Sequence, residues 1–216
     1  MTTPPPDTVW TRAVRGRRGP ARSLDLDQLA AAGVELADDG GLDAVTMRAV
    51  AAHVGASSPG LYRYVETRDE LIDLMVDHVV REVRLPHRRG PWRRRLLALA
   101  VAQSEVYRRH PWLADAARGP RVLGPEGSGL FETYLRIVEP VETTTAAKLE
   151  LFALLTGLAT LFAPATTLAT NPFPLAGPAT TPLLWSALTS ATGEPRSQEA
   201  LFAAIAEAMI DAILTP

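Results

Sequence analysis

Cysteine is absent from the 216-residue chain, and lysine is nearly so, since Lys148 stands against 21 arginines. Without cysteine there is neither a disulfide framework nor a thiolate metal site, which agrees with a reducing cytoplasm. The chain also lacks HExxH, GxSxG and P-loop patterns, and its four histidines are not at metal-ligand spacing. We therefore expect no enzymatic activity, no metal site and no cofactor.

The first ten residues, MTTPPPDTVW, contain no apolar run of the length that a signal peptide needs. We therefore expect a cytoplasmic protein. Charge is scarce and uneven: residues 1–95 carry 15 arginines against 13 acidic residues, and residues 96–216 carry 7 basic against 11 acidic residues. Residues 151–193 have no charged side chain at all, which predicts a segment buried on most of its sides.

The most informative stretch runs from Thr46 to Glu70 and predicts two short helices separated by a tight turn. Met47, Val50 and Val54 recur at helical spacing, and Gly55 can adopt the left-handed conformation that ends a helix. Ser57 or Ser58 then offers an N-cap oxygen, and Pro59 suits the first helical position. About three residues separate the helices, as in a helix-turn-helix, and the second helix is predicted to continue through Val65.

Further start and stop signals place the neighbouring helices. The first helix is predicted from Ser23 to the Gly40-Gly41 pair, with acidic residues in its first turn. Thr67 and Glu70 form a T-x-x-E capping box that begins a connecting helix, predicted over residues 68–85. Helices are also predicted over 92–109, 130–139 and 197–214, with a Gly/Pro-rich loop over 119–129.

The runs T-M-R-x-V-A-x-x-V-G and S-x-P-x-L-Y-x-Y-V-x-x-R-x-x-L, between Thr46 and Leu71, resemble the DNA-binding domain of the tetracycline-repressor (TetR) family. The later HPWL of residues 110–113 is similar to the branch with a tetracycline-repressor-like C-terminal domain. The match covers residues 24–85 well and residues 91–169 loosely. Ala56 and Gly60 depart from the family pattern. The resemblance implies an all-α fold, with a helix-turn-helix domain followed by a helical ligand-binding and dimerisation domain.

The resemblance implies that the second helix of the motif is the recognition helix, which would enter the major groove of the DNA. We expect Thr46 and Arg48 to touch phosphates and Arg63 to reach base edges. We expect the start of the recognition helix to lie against the DNA. We expect its aromatic residues, and the first arginine of the connecting helix, to contact the DNA backbone. These further contacts are Ser57, Ser58, Gly60, Tyr62, Tyr64 and Arg68.

Residues 9–23 hold five arginines and no acidic residue, interrupted by glycine and proline. This composition predicts a flexible arm before the first helix. Two roles stay open: a solvated basic tail that adds affinity for any DNA, or an arm that places arginines in the minor groove. The arm arginines are Arg12, Arg15, Arg17, Arg18 and Arg22.

Residues 151–169 are apolar around the whole circumference of a helix, and two interpretations arise. A single transmembrane span is disfavoured by the threonines and Pro164 and by the lack of flanking basic or aromatic belts. A helix buried between its own domain and a partner subunit fits better, and residues 197–214 supply a second apolar helix. The predicted four-helix dimer interface contains Leu151, Leu155, Leu158, Phe162, Leu201, Ile205, Ala208, Met209 and Ala212.

The family resemblance also implies a small-molecule effector, and aromatic residues of the C-terminal domain are the candidates to line its cavity. These residues are Tyr107, Trp112, Phe131, Tyr134, Phe152, Phe162, Phe173 and Trp185. The alternative is an orphan regulator whose core is filled. The partners predicted are a palindromic double-stranded DNA operator, a second copy of the chain and an effector of unknown identity, with no membrane. The predicted divisions are an arm (1–22), a DNA-binding domain (23–85) and a C-terminal domain (86–216).

Overall fold

The computed structural model describes residues 8–12, 24–163 and 197–214, and these residues form helices and no strand. The all-α prediction is thus confirmed. The helices are α1 (Leu26–Gly40), α2 (Met47–His53), α3 (Ser58–Leu61), α4 (Arg68–Val80), α5 (Trp92–Arg109), α6 (Leu113–Ala116), α7 (Pro125–Val138), α8 (Thr145–Phe162) and α9 (Gln198–Leu214), with a 3-10 turn at Leu42–Ala44.

Helices α1 to α4 form the N-terminal unit, in which α1 and α4 pack on each other beneath α2 and α3. Thr46 caps α2 by accepting a hydrogen bond from the Ala49 N–H at 3.1 Å. Gly55 has φ 68°, the left-handed conformation predicted for the turn. Val50 of α2 and Leu61 of α3 are both buried, and the two helices pack against each other across the turn. The helix-turn-helix prediction is thus confirmed in its geometry.

Several helix boundaries differ from the prediction. Helix α1 begins at Leu26 instead of Ser23, because Asp25 and Gln28 form a reciprocal capping box that fixes the start. Helix α3 ends at Leu61, and the chain continues to Val65 in tight turns such as the Tyr64 N–H to Leu61 carbonyl hydrogen bond of 2.8 Å. Helix α4 ends at Val80, where shorter-range hydrogen bonds replace the α-helical ones.

Helix α7 begins at Pro125, so the loop predicted up to residue 129 is wrong in its second half. The sequence pattern treats Gly127 and Gly129 as breakers. The structure supplies a cap from another element: the Asp77 carboxylate of α4 accepts from the Gly127 N–H at 2.8 Å and from the Glu126 N–H at 3.4 Å. A cap donated by a distant helix leaves no signal in the local sequence.

The C-terminal unit is a bundle in which α8 packs against α5 and α9. Its core includes a cluster of Phe131, Tyr134 and Phe152, with ring centroids 4.5 Å apart for the phenylalanine pair. The Tyr134 hydroxyl donates to the Lys148 carbonyl at 2.5 Å, which joins α7 to α8. Burial raises the pKa of Tyr134 to about 12, so this donor keeps its proton throughout the neutral range.

Among the described residues, α8 is the helix that is long and apolar enough to cross a membrane by length and composition. Of its apolar window, 22% is buried within the chain. Lys148 and Glu150 lie in its first two turns, and its buried residues include Leu151, Leu155 and Ala159. The face that carries these residues packs in the bundle with α5 and α9.

Candidate functional site

The exposed surface of α2 and α3 carries the polar side chains expected of a DNA reader. Arg48 and Arg63 are both exposed, and within the described residues neither side chain has a hydrogen bond or an ion pair. Tyr62 is 54% exposed, whereas Tyr64 is half-buried. The helix-turn-helix thus exposes two arginines that have no partner among the described residues, and one exposed aromatic ring.

The start of α3 leaves hydrogen-bonding groups available. Ser57 is the N-cap residue, but its side chain makes no capping hydrogen bond, and it is exposed. The Thr46 hydroxyl is exposed too, although it already accepts from Ala49. A Cβ atom at Gly60 would lie 3.2 Å from the Ser57 hydroxyl, so glycine leaves this end of the helix uncrowded. The region therefore offers hydroxyl and backbone N–H groups of the kind that bind phosphate oxygens.

Arg68 has a structural partner in addition to any DNA contact. Its guanidinium donates to the Val45 carbonyl at 2.7 Å and to the Leu42 carbonyl at 2.5 Å. These bonds tie the start of α4 to the turn before α2. We therefore interpret Arg68 as a residue that positions the motif.

The N-terminal segment of residues 8–12 does not behave as the free arm that was predicted. Val9 is only 4% exposed in the core, and Arg12 binds Glu70 at 2.7 and 3.3 Å and Glu66 at 3.2 Å. Burial alone would raise the pKa of Glu70, but hydrogen bonds from Arg12 and from the Glu66 backbone outweigh it and lower that pKa. Arg12 therefore joins residues 8–12 to the start of α4 through two carboxylates, and its role as a DNA contact stays a prediction.

The remaining arm arginines, Arg15, Arg17, Arg18 and Arg22, lie outside the described residues.

We predict that Arg12→Ala lowers the free energy of unfolding by about 1–3 kcal/mol, because it removes charge-assisted hydrogen bonds that are largely shielded from solvent. Urea unfolding monitored by circular dichroism measures this change. Arg118→Ala is the matched control, since it removes only an exposed ion pair with Asp115 and should cost under about 1 kcal/mol. Equal stability of the Arg12→Ala variant and the wild type would contradict the docked segment.

The described aromatic candidates for an effector cavity all have partners within the chain. Trp112 is 2% exposed and donates from Nε1 to Asp38 at 2.8 Å. Phe162 packs edge-on against Phe202, and burial raises the pKa of Tyr107, which hydrogen-bonds Thr160. Phe131, Tyr134 and Phe152 form the cluster described above, and Phe173 and Trp185 lie outside the described residues.

Three clefts, of about 520, 190 and 610 Å³, are lined by none of these aromatic candidates. Their role as effector contacts therefore stays a prediction.

The interface candidates divide between two faces. Leu151, Leu155 and Phe162 are at most 7% exposed inside the protomer, so a partner subunit could not reach them, and they are corrected to core residues. The outer face of α8 instead carries Leu154 and Leu161, which are 48% and 73% exposed. Because α8 is apolar all round, its sequence does not indicate which side faces inward.

On α9 the predicted residues lie on the outer side. Phe202, Ala206 and Ile210 point into the core, while Ala204, Ala208 and Ala212 are exposed four residues apart. Leu201, Ile205 and Met209 are half-buried beside this alanine row, and Leu158 is half-buried on α8. We name the exposed side chains Leu154, Leu161, Ala204, Ala208 and Ala212 the outer apolar face.

Two buried carboxylates on α4 connect the two units and were not singled out from the sequence. Asp77 caps α7, and Asp73 bonds the Val122 N–H at 3.4 Å and Arg121 at 3.2 Å. A Cβ atom at Gly124 would lie 2.3 Å from the Asp77 carboxyl carbon, so only glycine admits this approach. The spacing of Asp73 and Asp77 on one helix face was visible in the sequence, but their partners were not: those of Asp73 lie in the segment before α7, and those of Asp77 at the start of α7.

Burial raises the pKa of Asp77, only partly offset by the amides of Gly127 and Glu126. A raised folded-state pKa means that the folded chain binds the proton more tightly, so this residue's contribution to stability falls as pH rises. We predict that wild type gains stability relative to Asp77→Asn as pH is lowered from about 7 towards the ordinary aspartate value of 3.8. Paired urea titrations across that range measure the difference, which cancels effects of other groups. A constant or reversed difference would exclude the raised pKa.

A second link joins the units through His110, the first residue of HPWL. His110 is 7% exposed, with Nδ1 2.8 Å from Asp38 of α1 and Nε2 3.2 Å from Glu82 after α4. Trp112 shares the same Asp38 oxygen, and Arg109 pairs with Glu82. The corner between α5 and α6 is therefore bonded both to α1, through Asp38, and to the segment after α4, through Glu82.

An N-terminal unit of four helices with an exposed arginine-bearing helix-turn-helix, joined to a helical bundle, defines a helix-turn-helix DNA-binding protein. Residues 29–75 match the family model of bacterial regulatory proteins of the tetR family. This match confirms, for the helix-turn-helix unit, the resemblance to the tetR family that the sequence predicted, and the prediction of a regulator instead of an enzyme agrees with it.

Two curated relatives are similar over part of their length. The HTH-type transcriptional repressor DrrR1 of Streptomyces coeruleorubidus is 39% identical over 140 residues, which are 64% of this chain and 52% of that protein. An HTH-type transcriptional regulator of Saccharopolyspora erythraea is 36% identical over 121 residues, 56% of this chain and 51% of that protein. The chain spans about half the length of these relatives.

Among solved structures, ActR of Streptomyces coelicolor in complex with actinorhodin superposes with a TM-score of 0.72. The identity is 23%, and the match covers 90% of this chain and 97% of ActR. At this identity the likeness shows the shared fold, which includes both the helix-turn-helix unit and the C-terminal bundle.

Proposed function

We propose that the chain acts in the cytoplasm, at nucleoid DNA, as a homodimeric, sequence-specific transcriptional regulator that binds a palindromic operator. The observation that carries this proposal is the pair of exposed arginines of the helix-turn-helix, Arg48 and Arg63, neither of which has a partner in the part of the chain that the structure describes. A guanidinium can bind guanine O6 and N7 in the major groove through two hydrogen bonds, and phosphates through one or two. Arg63 follows α3 directly and is assigned to base edges, and Arg48 to phosphates.

Dimerisation is supported by the outer apolar face. Leu161, 73% exposed on an uncharged part of α8, and the alanine row of α9 leave a surface that water solvates poorly. The alanines permit close approach of two backbones, as in a bundle of two helices from each protomer. A two-fold axis then places two recognition helices on successive turns of one DNA face, about 34 Å apart.

The direction of regulation is proposed from the relatives. DrrR1 is a repressor, and ActR has been crystallised with a small molecule, actinorhodin. By analogy this chain represses until a lipophilic effector binds the conformation whose DNA-binding units are misplaced. The packed aromatic cluster of Phe131, Tyr134 and Phe152 favours a second candidate, an orphan regulator with a filled core.

Selection of bound fragments from a random DNA pool tests the DNA-binding proposal, because it yields half-site sequence and spacing together. Enrichment of an inverted repeat is the expected result, and a pool without enrichment would refute operator reading. Thermal shift against lipophilic compounds, followed by operator release, then separates the two candidates. A compound that raises the melting temperature and releases operator identifies the effector-responsive regulator.

A further inference from the structure

A cavity of about 520 Å³ lies where the N-terminal unit meets the C-terminal bundle. It opens between the start of α1, the outward side of α4 and the start of α7, with the docked segment of residues 8–12 along one side. Its volume is within the range of about 300–1,000 Å³ that small-molecule sites occupy. We name it the junction cavity, and it is separate from the aromatic cluster within the bundle.

The walls of the junction cavity are apolar and partly aromatic. Trp10 approaches closely enough that a Cβ atom at Gly124 would lie 2.5 Å from its ring, and Tyr64 contributes a second ring from the end of the helix-turn-helix. Leu26 and Leu74 complete the apolar surface from α1 and α4. Such walls remove a bulky hydrocarbon or aromatic group from water.

The charge of the same cavity is strongly one-sided. Among the described residues, its lining contains four carboxylates, Asp25, Asp27, Asp77 and Glu126, and one guanidinium, that of Arg81. Arg81 is paired with Asp27 and lies 3.4 Å from Glu126, so it is shared between two acids. His78 Nδ1 lies 3.1 Å from Asp27. Even with His78 protonated, these four carboxylates exceed the two positive side chains by two charges.

The electrostatic environment of Asp77 agrees with this imbalance. The carboxylate is only 5% exposed, and burial raises its pKa; the negative charge of Glu126 acts in the same direction, while the amides of Gly127 and Glu126 and the charge of Arg81 lower that pKa. An additional positive charge in the cavity would therefore be attracted by several acids at once, while an anion would be repelled.

We propose that the junction cavity binds an apolar organic cation, such as an aromatic or branched hydrocarbon compound with a protonated amine or a quaternary centre. The site deepens the effector part of the proposed function by assigning a chemical class and a place to the effector. Binding itself does not depend on DNA recognition, so the two proposals can fail separately.

A ligand in this cavity would contact the side chains that join the DNA-binding unit to the bundle. Arg81 of the connecting segment joins Asp27 of α1 to Glu126 of α7, and a bound cation competes with Arg81 for both carboxylates. Weakening this link changes the relative free energy of arrangements of the N-terminal unit on the bundle. Such a differential effect is what an effector needs to shift operator affinity.

The test uses the full chain without DNA and two probes of the same shape and opposite charge, tetraphenylphosphonium and tetraphenylborate. Equilibrium dialysis measures the dissociation constant of each. We expect the cation to bind on the order of tenfold more tightly than the anion. Equal binding, or tighter binding of the anion, would overturn the proposal.

Matched variants on α7 locate the site. Glu126→Gln removes a carboxylate from the cavity and should weaken binding of the cation about two- to fivefold. Glu132→Gln, an equally exposed carboxylate on the same helix, pairs with Arg136 outside the cavity and should leave the affinity unchanged. Equal effects of the two substitutions would also overturn the proposal.

A third variant, Leu26→Trp, fills the cavity and should abolish cation binding while circular dichroism shows the helices intact. If this variant does not fold, the Glu126 and Glu132 pair still decides the outcome. A chain that selects an operator but binds neither probe selectively retains the proposed function and loses the junction site. A chain that binds the cation selectively but enriches no DNA retains the junction site and loses the proposed function.

Discussion

Leu161→Glu is expected to dissociate the dimer and to reduce operator affinity to that of a single half-site. The substitution places two carboxylates, one from each protomer, in the outer apolar face, where Leu161 is 73% exposed in the isolated chain. Loss of two buried leucine contacts and burial of two charges should weaken dimerisation by about 4 kcal/mol or more, roughly a thousandfold. Sedimentation velocity over a concentration series measures the dissociation constant.

Leu149→Glu is the control, because Leu149 is 44% exposed on the same helix but lies on a different side from Leu161. The control should remain dimeric, and its new carboxylate near the start of α8 suits the helix dipole. A dimer that survives Leu161→Glu but not Leu149→Glu would assign the interface to another face. Circular dichroism of both variants shows that the protomer has kept its fold.

Arg63→Ala is expected to lower operator affinity by about 2–6 kcal/mol, because each of two half-sites loses a contact of about 1–3 kcal/mol. The reason is geometric: Arg63 follows α3, is exposed and has no partner in the described chain. Fluorescence anisotropy on the selected operator and on a scrambled duplex measures the effect. Affinity should fall on the operator far more than on the scrambled DNA.

Arg136→Ala provides the matched control, since Arg136 lies on α7 and pairs with Glu132. Its operator affinity should equal that of the wild type. An Arg63→Ala variant with unchanged operator preference would remove Arg63 from the base-reading residues. An equal loss on operator and scrambled DNA would reassign it to a phosphate contact.

The sequence predicted the DNA-binding unit well because its signals are local. Thr67 acts as an N-cap as expected, and Gly55 takes the positive φ that the turn requires. These features depend on residues within one turn of each other. The sequence predicted α3 to be too long. The apolar Val65 keeps the helical period, although the α-helix already ends at Leu61.

Features that depend on distant partners were not predictable. Arg12 stands in a basic run, and nothing near it indicates that Glu66 and Glu70 hold it. The cap on α7 comes from Asp77, about fifty residues earlier. The faces of α8 could not be distinguished because apolar residues surround it, so Leu151 and Leu155 were assigned to the interface instead of the core.

The central proposal, that two protomers read two half-sites on one face of the DNA, has a direct test in operator spacing. Five base pairs inserted at the centre of the selected operator rotate the second half-site by about half a turn, away from the second recognition helix. Fluorescence anisotropy with wild-type protein should then show affinity no higher than for a single half-site. Undiminished affinity for the lengthened operator would contradict reading by a symmetric dimer.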